Sequence, residues 1–285
     1  MRIFDSITRG QFLLSPFVVS AARKNPKLVF VCGDHEYSGE ATLPLFAKEL
    51  EARYGWETQV LKSSPDQNSE TDIPGLEALA DADLVVFYLR WRRLPPEQLE
   101  LIDAYVKSGK PIVALRTTSH AFNFPKDHPN VAWNRWAPEV FGAPPGWNAE
   151  GHTHYGHQAT TRVSLNAAVA TDPLLTGVAP EFVAPSWLYN VLPNYPPRDV
   201  KTLLYGDAIN PNKPAVRNPV AWTWINRYGA KSFYTSLGHP GDFAIESFQR
   251  LLVNVIFWQL DQKQPKKWKG PMKIEVPYRG IVKSN

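Results

Sequence analysis

In the first half of the chain, apolar positions fall in short unbroken runs separated by stretches of helical period. Residues 27–33 (KLVFVCG), 84–89 (LVVFYL) and 111–115 (PIVAL) read as strands buried on both faces. A shorter strand is read at 58–61. Leu43, Phe46, Ala47, Leu50 and Tyr54 recur at helical spacing, and Gly55 supplies the stop. Pro95 and Pro96 sit where a first helical turn tolerates proline; Leu99, Ile102, Tyr105 and Val106 then mark one face, and Gly109 ends the helix. Strand–helix–strand units at this spacing predict parallel pairing, and hence an α/β three-layer sandwich with a mainly parallel sheet.

From Arg116 to about residue 160 the periodicity lapses into a long insert rich in His, Trp, Pro, Gly and Asn. A stretch of that length inside a compact domain is usually functional. Strands resume at 162–165, 203–205, 220–225 and 232–237. Phe248, Leu251, Leu252, Val255 and Ile256 then mark the buried side of a closing helix. Neither a repeat nor a linker is visible. One domain is expected over 27–260, with an N-terminal extension at 1–26 and a basic tail at 261–285.

Composition narrows the function classes. Of 285 residues, 44% are apolar and 20% charged, which excludes a disordered chain. No run approaches the roughly 18 apolar residues of a membrane span. A single cysteine, Cys32, excludes a disulfide scaffold and reads as an inert thiol inside the first strand. The basic excess sits in residues 262–285, where Lys263, Lys266, Lys267, Lys269, Lys273, Arg279 and Lys283 face Glu275 alone. The rest of the chain is near neutral, so no nucleic-acid partner is expected, and the tail reads as a solvated extension. Residues 12–22 (FLLSPFVVSAA), behind Arg2 and Arg9, have the look of a weak secretory core. Asp5 and Pro16 oppose that reading. The expected compartment is the cytoplasm, or the periplasm or exterior if 12–22 acts as a signal.

Ligands of parallel α/β sheets bind beyond the carboxyl ends of the strands. Those ends deliver His35, Glu36 and Tyr37 after the first strand, Arg90 after the third, Arg116 to His120 after the fourth and His239 after the last. Glu36 is a candidate acid or base, and Arg90 and Arg116 are candidate holders of an oxyanion or a hydroxyl-rich ligand. Arg92 and Arg93 read as surface charges. Ser119 and His120, adjacent in an extended segment, should point to opposite faces and so form no nucleophile–base pair. The run Gly151-His152-Thr153-His154-Tyr155-Gly156-His157 has spacings compatible with a divalent metal such as zinc on His154 and His157, completed by a strand-end histidine. Solvated loop histidines are the plainer reading. Ten tryptophans are an excess; Trp147 and Trp187, with Trp133, Trp136 and Tyr189, could stack on sugar faces or simply fill the core. No phosphate loop and no dinucleotide fingerprint is present.

Taken in order, VFVCGDHEYSGE near 30–40, residues 84–122, TDPLLTGV at 171–178, SWLYNVLP at 186–193, residues 218–239 and FQRLLVNVIFWQL at 248–260 resemble the trehalose-utilisation (ThuA-like) family. The resemblance spans roughly 27–260. It implies a flavodoxin-like, class I glutamine-amidotransferase-like fold and a link to the use of trehalose and related disaccharides through 3-keto sugars. The matching positions are His35 and Glu36, the segment ending at His120 and Ala121, and His239. Two departures matter: no elbow cysteine follows the fourth strand, so glutamine hydrolysis is not expected, and Ser186-Trp187 replaces an acidic pair that often precedes Leu-Tyr.

The expected function is therefore acid–base isomerisation or cleavage of a disaccharide, glycoside or 3-keto derivative. His120 and His35 would serve as base and acid, and Glu36 would assist. Arg90, Arg116, Tyr37, Trp147, Trp187, Tyr189 and His239 would bind the sugar. The rival is a non-catalytic sugar-binding protein. A homodimer is the expected assembly.

Overall fold

A computed structural model describes residues 25–265 and 267–281. The candidate signal segment 12–22 lies outside them. In chain order the elements are β1 (Lys27–Gly33), α1 (Gly39–Tyr54), β2 (Glu57–Lys62), β3 (Leu84–Leu89), α2 (Pro96–Lys107), β4 (Ile112–Leu115), α3 (Trp136–Phe141) and β5 (Thr153–His154). They continue with β6 (Thr160–Leu165), β7 (Glu181–Trp187), β8 (Tyr189–Asn190), β9 (Lys201–Ala208), β10 (Asn218–Ile225), β11 (Lys231–Thr235) and α4 (Glu246–Gln259).

Nine strands form one sheet in the order β2-β1-β3-β4-β11-β10-β9-β6-β7. The half from β2 to β11 is parallel, and β10, β9, β6 and β7 extend it in antiparallel fashion. Alternation along the central strands divides the interior into two cores. Leu28, Phe30, Leu84, Val86, Val113 and Leu115 face α1 and α4, while Val29, Val31, Val85, Phe87, Ile112 and Ala114 face α2 and α3. That explains the continuous apolar runs: each face of these strands has its own helical cover. The predicted helix faces are the buried ones, and Gly55 closes α1 in the left-handed conformation, with φ 70°.

Two features differ from the sequence reading. Strand β7 pairs only with β6, at the sheet edge, which is where its Pro185 is tolerated. The tail from 267 to 281 is not wholly a solvated extension. Met272 and Ile274 are buried in the α1/α4 core, alternating with exposed Lys273 and Glu275, so the lysines masked a short period-two apolar pattern.

Trp222 of β10 ties the two halves together: it is fully buried and donates Nε1–H to the Phe141 carbonyl at 2.8 Å. Trp222→Ala should cost about 3–5 kcal/mol in urea unfolding, because it leaves both a cavity and an unpaired carbonyl. A loss below about 1 kcal/mol would show that β10 does not depend on this contact.

Candidate functional site

The loops after β1, β3, β4 and β11 converge at the carboxyl rim of the parallel half. After β1, the buried Asp34 carboxylate accepts the backbone N–H groups of Glu36, Tyr37 and Gly39 at 3.2, 2.8 and 3.4 Å. This turn sends Glu36 and Tyr37 inward. Burial pushes Asp34 up to about 6, against the pull of those hydrogen bonds. After β3 and β4 the chain takes left-handed backbone at two residues that are not glycine, Trp91 (φ 55°) and Arg116 (φ 42°). Such strain gathers where a fold must aim side chains.

Three arginines dominate the rim. Arg90 pairs Nε with Glu36 Oε2 at 2.7 Å, lays its guanidinium over the Trp91 ring at 3.5 Å and reaches His35 Nε2 at 2.6 Å. Arg92, expected at the surface, has no exposed area. It contacts the Arg90 carbonyl, Ser63 Oγ, the Ser69 carbonyl and His35 Nδ1. Burial lowers it to about 10. Gly33 makes room for it, since a Cβ there would lie 2.7 Å from Arg92 Cδ. Only Arg93 is a surface charge, paired with Glu70. Arg116 is wholly buried. It donates to the Ser236 carbonyl at 2.8 Å and to Tyr37 Oη at 3.0 Å, and sits 4.2 Å from the Tyr37 ring and 4.7 Å from the Tyr189 ring.

A cavity of about 170 Å³ opens among these groups, lined by Glu36, Tyr37, Arg90, His120, Trp147, His154, His157, Trp187, Tyr189 and Ile281. The strand ends and the His/Trp-rich insert thus meet, and most of the expected residues do too. Arg116 lies behind the Tyr37 and Tyr189 rings rather than on the wall. His239 also stands back, accepting the Gly241 N–H on Nδ1 at 3.0 Å. His35 is the main correction. Both of its ring nitrogens face guanidinium groups, and burial with those two charges lowers it to about 3. A neutral ring can accept from only one of the two guanidinium groups, and His35 stands off the cavity wall. Trp133 and Trp136 pack against Phe122 and belong to the α2/α3 core. They also line a groove of about 490 Å³ that no strand-end residue reaches.

The 152–157 run divides its labour. His152 is buried, with Nδ1 2.8 Å from the Gly146 carbonyl, so that nitrogen carries the proton and Nε2 is left unpartnered. His154 and His157 reach the cavity and flank Trp187, with ring centroids 5.4 and 4.6 Å from it. Among the described residues no group of three or more His, Cys, Asp or Glu side chains is arranged to hold a metal ion.

Residues 116–120 form a 3-10 turn, and this overturns the argument that separated Ser119 from His120. Ser119 Oγ lies 3.1 Å from His120 Nδ1. Ser119 is buried and off the cavity wall, so it orients the ring. Burial, then His152 and the nearby arginines, hold His120 well below the ordinary histidine range. Cys32, the one cysteine, is buried inside β1, with burial raising its thiol, and not at the turn after β4.

The family model described as trehalose utilisation, ThuA, matches residues 28–259. The chain belongs to the ThuA family. Its fold is shared with a ThuA-like protein from Parabacteroides merdae, 18% identical, with a TM-score of 0.62 over 92% of this chain and 100% of that one. A ThuA-like protein from Bacteroides uniformis, also 18% identical, gives a TM-score of 0.56 over 86% and 95%. No curated protein matches the chain. ThuA membership supports a carbohydrate-associated role. Among the described residues no helix is long and apolar enough to cross a membrane.

The buried histidines give this ThuA site an acid sensitivity. Burial lowers His152 to about 4, below the roughly 6.5 of an unfolded histidine. Between those values the unfolded chain binds more protons, so this contribution destabilises the fold as pH drops from 6.5 towards 4. Asp34, raised to about 6, acts in the opposite sense below that pH. Comparison of wild type with His152→Asn isolates the histidine. The urea midpoint of the variant should fall less steeply from pH 6.5 to 4.5, by up to about 1.4 kcal/mol per pH unit. Parallel slopes would mean that His152 is charged in the fold.

Proposed function

We propose that this protein is an acid–base enzyme acting on a sugar that carries a ring carbonyl, such as a 3-keto glycoside or 3-keto disaccharide. The observation that carries the reading is a carboxylate, Glu36, and a neutral imidazole, His120, on the wall of one small cavity whose other walls are Trp147, Trp187 and Tyr189. Aromatic faces suit the C–H surfaces of a sugar, and the polar groups fix its orientation. At about 170 Å³ the cavity has room for one sugar ring rather than a whole disaccharide.

A carbonyl acidifies the C–H next to it. Glu36, oriented by Arg90, takes that proton, and the electron pair moves onto the carbonyl oxygen. Arg90 and the Tyr37 hydroxyl steady the oxyanion. Because Tyr37 Oη accepts from Arg116, its proton is free to point at the substrate. Ser119 Oγ lies within reach of both His120 Nδ1 and the Arg116 carbonyl; in the tautomer where Nδ1 accepts its proton, a neutral His120 presents Nε2–H to the same oxygen. This reverses the roles expected from sequence, with Glu36 as base and His120 as hydrogen-bond donor. Where that carbon carries a hydroxyl, the oxyanion takes the hydroxyl proton, the second oxygen collapses to a carbonyl and Glu36 returns its proton to the former carbonyl carbon, which is isomerisation; alternatively the returning pair expels a β-placed glycosidic oxygen, which leaves with the proton from Glu36.

On a 3-keto glucoside, Glu36→Gln should lower kcat by about 10²–10⁴-fold with sugar binding retained. The wild-type pH–rate profile should show no limb near 6.5 from His120. Undiminished turnover by Glu36→Gln would remove the carboxylate from the mechanism. Binding without turnover in the wild type would establish the sugar-binding rival.

A further inference from the structure

We propose that the C-terminal segment completes the sugar site, with Tyr278 and Ile281 as substrate-contacting residues on a wall that opens and closes. This rests on the functional reading above and adds to it residues beyond the 28–259 family match.

The segment is firmly held in its first part. Arg53 donates to the carbonyls of Lys269, Gly270 and Pro271 at 3.1, 2.6 and 2.9 Å. Gln249 clamps the Met272 backbone, accepting its N–H at 2.7 Å and donating to its carbonyl at 3.0 Å. Met272 and Ile274 are plugged into the core. Beyond Ile274 the character changes. Among the described residues no hydrogen bond joins 275–281 to the body of the protein. Rings hold this part instead. Tyr278 stacks on Tyr37 at 5.7 Å and 25°, lies 4.6 Å from the His239 ring and meets Trp187 edge-on at 6.0 Å. Tyr37 and Trp187 are themselves cavity walls, and Ile281 is a third. Tyr278 is still 38% exposed, so one side of its ring is open.

An anchor followed by a short arm without hydrogen bonds is the build of a lid. With the arm down, Tyr278 offers a ring face beside Trp187 and Ile281 shields Glu36 and His120 from water. With it up, the sugar can enter. His239, expected from sequence to bind the sugar directly, acts here as a seat for Tyr278.

The test uses the full chain and 3-keto-trehalose as probe, with Tyr278→Ala and a chain ending at Glu275. Both variants keep the Met272 and Ile274 anchor. Calorimetric binding should weaken about three- to tenfold in each, with the thermal midpoint unchanged. In the wild type, saturating probe should slow tryptic cleavage after the exposed Arg279. Equal affinity in all three proteins would overturn the lid and leave the acid–base reading standing. No binding of the probe by the wild type would overturn the sugar reading and the lid with it.

Discussion

Guanidinium groups buried at the ends of parallel strands are the constraint around which this molecule is arranged. A buried charge must find partners, because water is no longer available to solvate it. Arg92 meets that demand with two carbonyls, Ser63 and one edge of His35. Arg90 lies against the other edge of that ring, which when neutral accepts from only one of the two arginines, and takes the face of Trp91 and the carboxylate of Glu36. Arg116 has no carboxylate in contact and is stabilised by a carbonyl, a tyrosine hydroxyl and two ring faces. Two of these solutions fix cavity-wall residues: Glu36 through Arg90, Tyr37 and Tyr189 through Arg116. The site is a by-product of satisfying these cations.

The strained backbone follows from the same demand. Were the chain after β3 and β4 to continue as extended strand, Arg90 and Arg92 would share a face while Trp91 pointed away from both. The left-handed turn at Trp91 lets its ring pack between His35 and His120 while Arg90 lies on it. Arg116 occupies the corresponding bend after β4. Here that bend drives a cation into the interior.

Much of this was legible from the chain alone, and what was missed shares a physical cause. Unbroken apolar runs such as LVFVC and LVVFYL identify two-sided burial, and the strand-end rule then brings Glu36, Arg90 and His120 to one rim. Periodicity carries no information where the chain is irregular. The Ser119–His120 contact needs a 3-10 turn that no spacing announces, and Arg92 is buried because Gly33, far away in sequence, vacates the volume. The tail was misread for another reason. Two apolar residues, Met272 and Ile274, outweigh a run of lysines once their side chains reach the core, whereas composition counts every charge alike.

The electrostatic setting explains why a cluster this rich in histidine would leave proton abstraction to a carboxylate. His120, His152, His154 and His239 are all pushed down, by burial first and by neighbouring guanidinium or imidazole groups after it. A lowered pKa makes a ring a poor base, but it keeps the ring neutral, able to donate one N–H while its other nitrogen is held by an orienting partner. The arginines therefore help to keep the rings neutral and, through Arg90, hold the Glu36 carboxylate in place, so the cavity wall is positioned by contacts that also satisfy the buried cations.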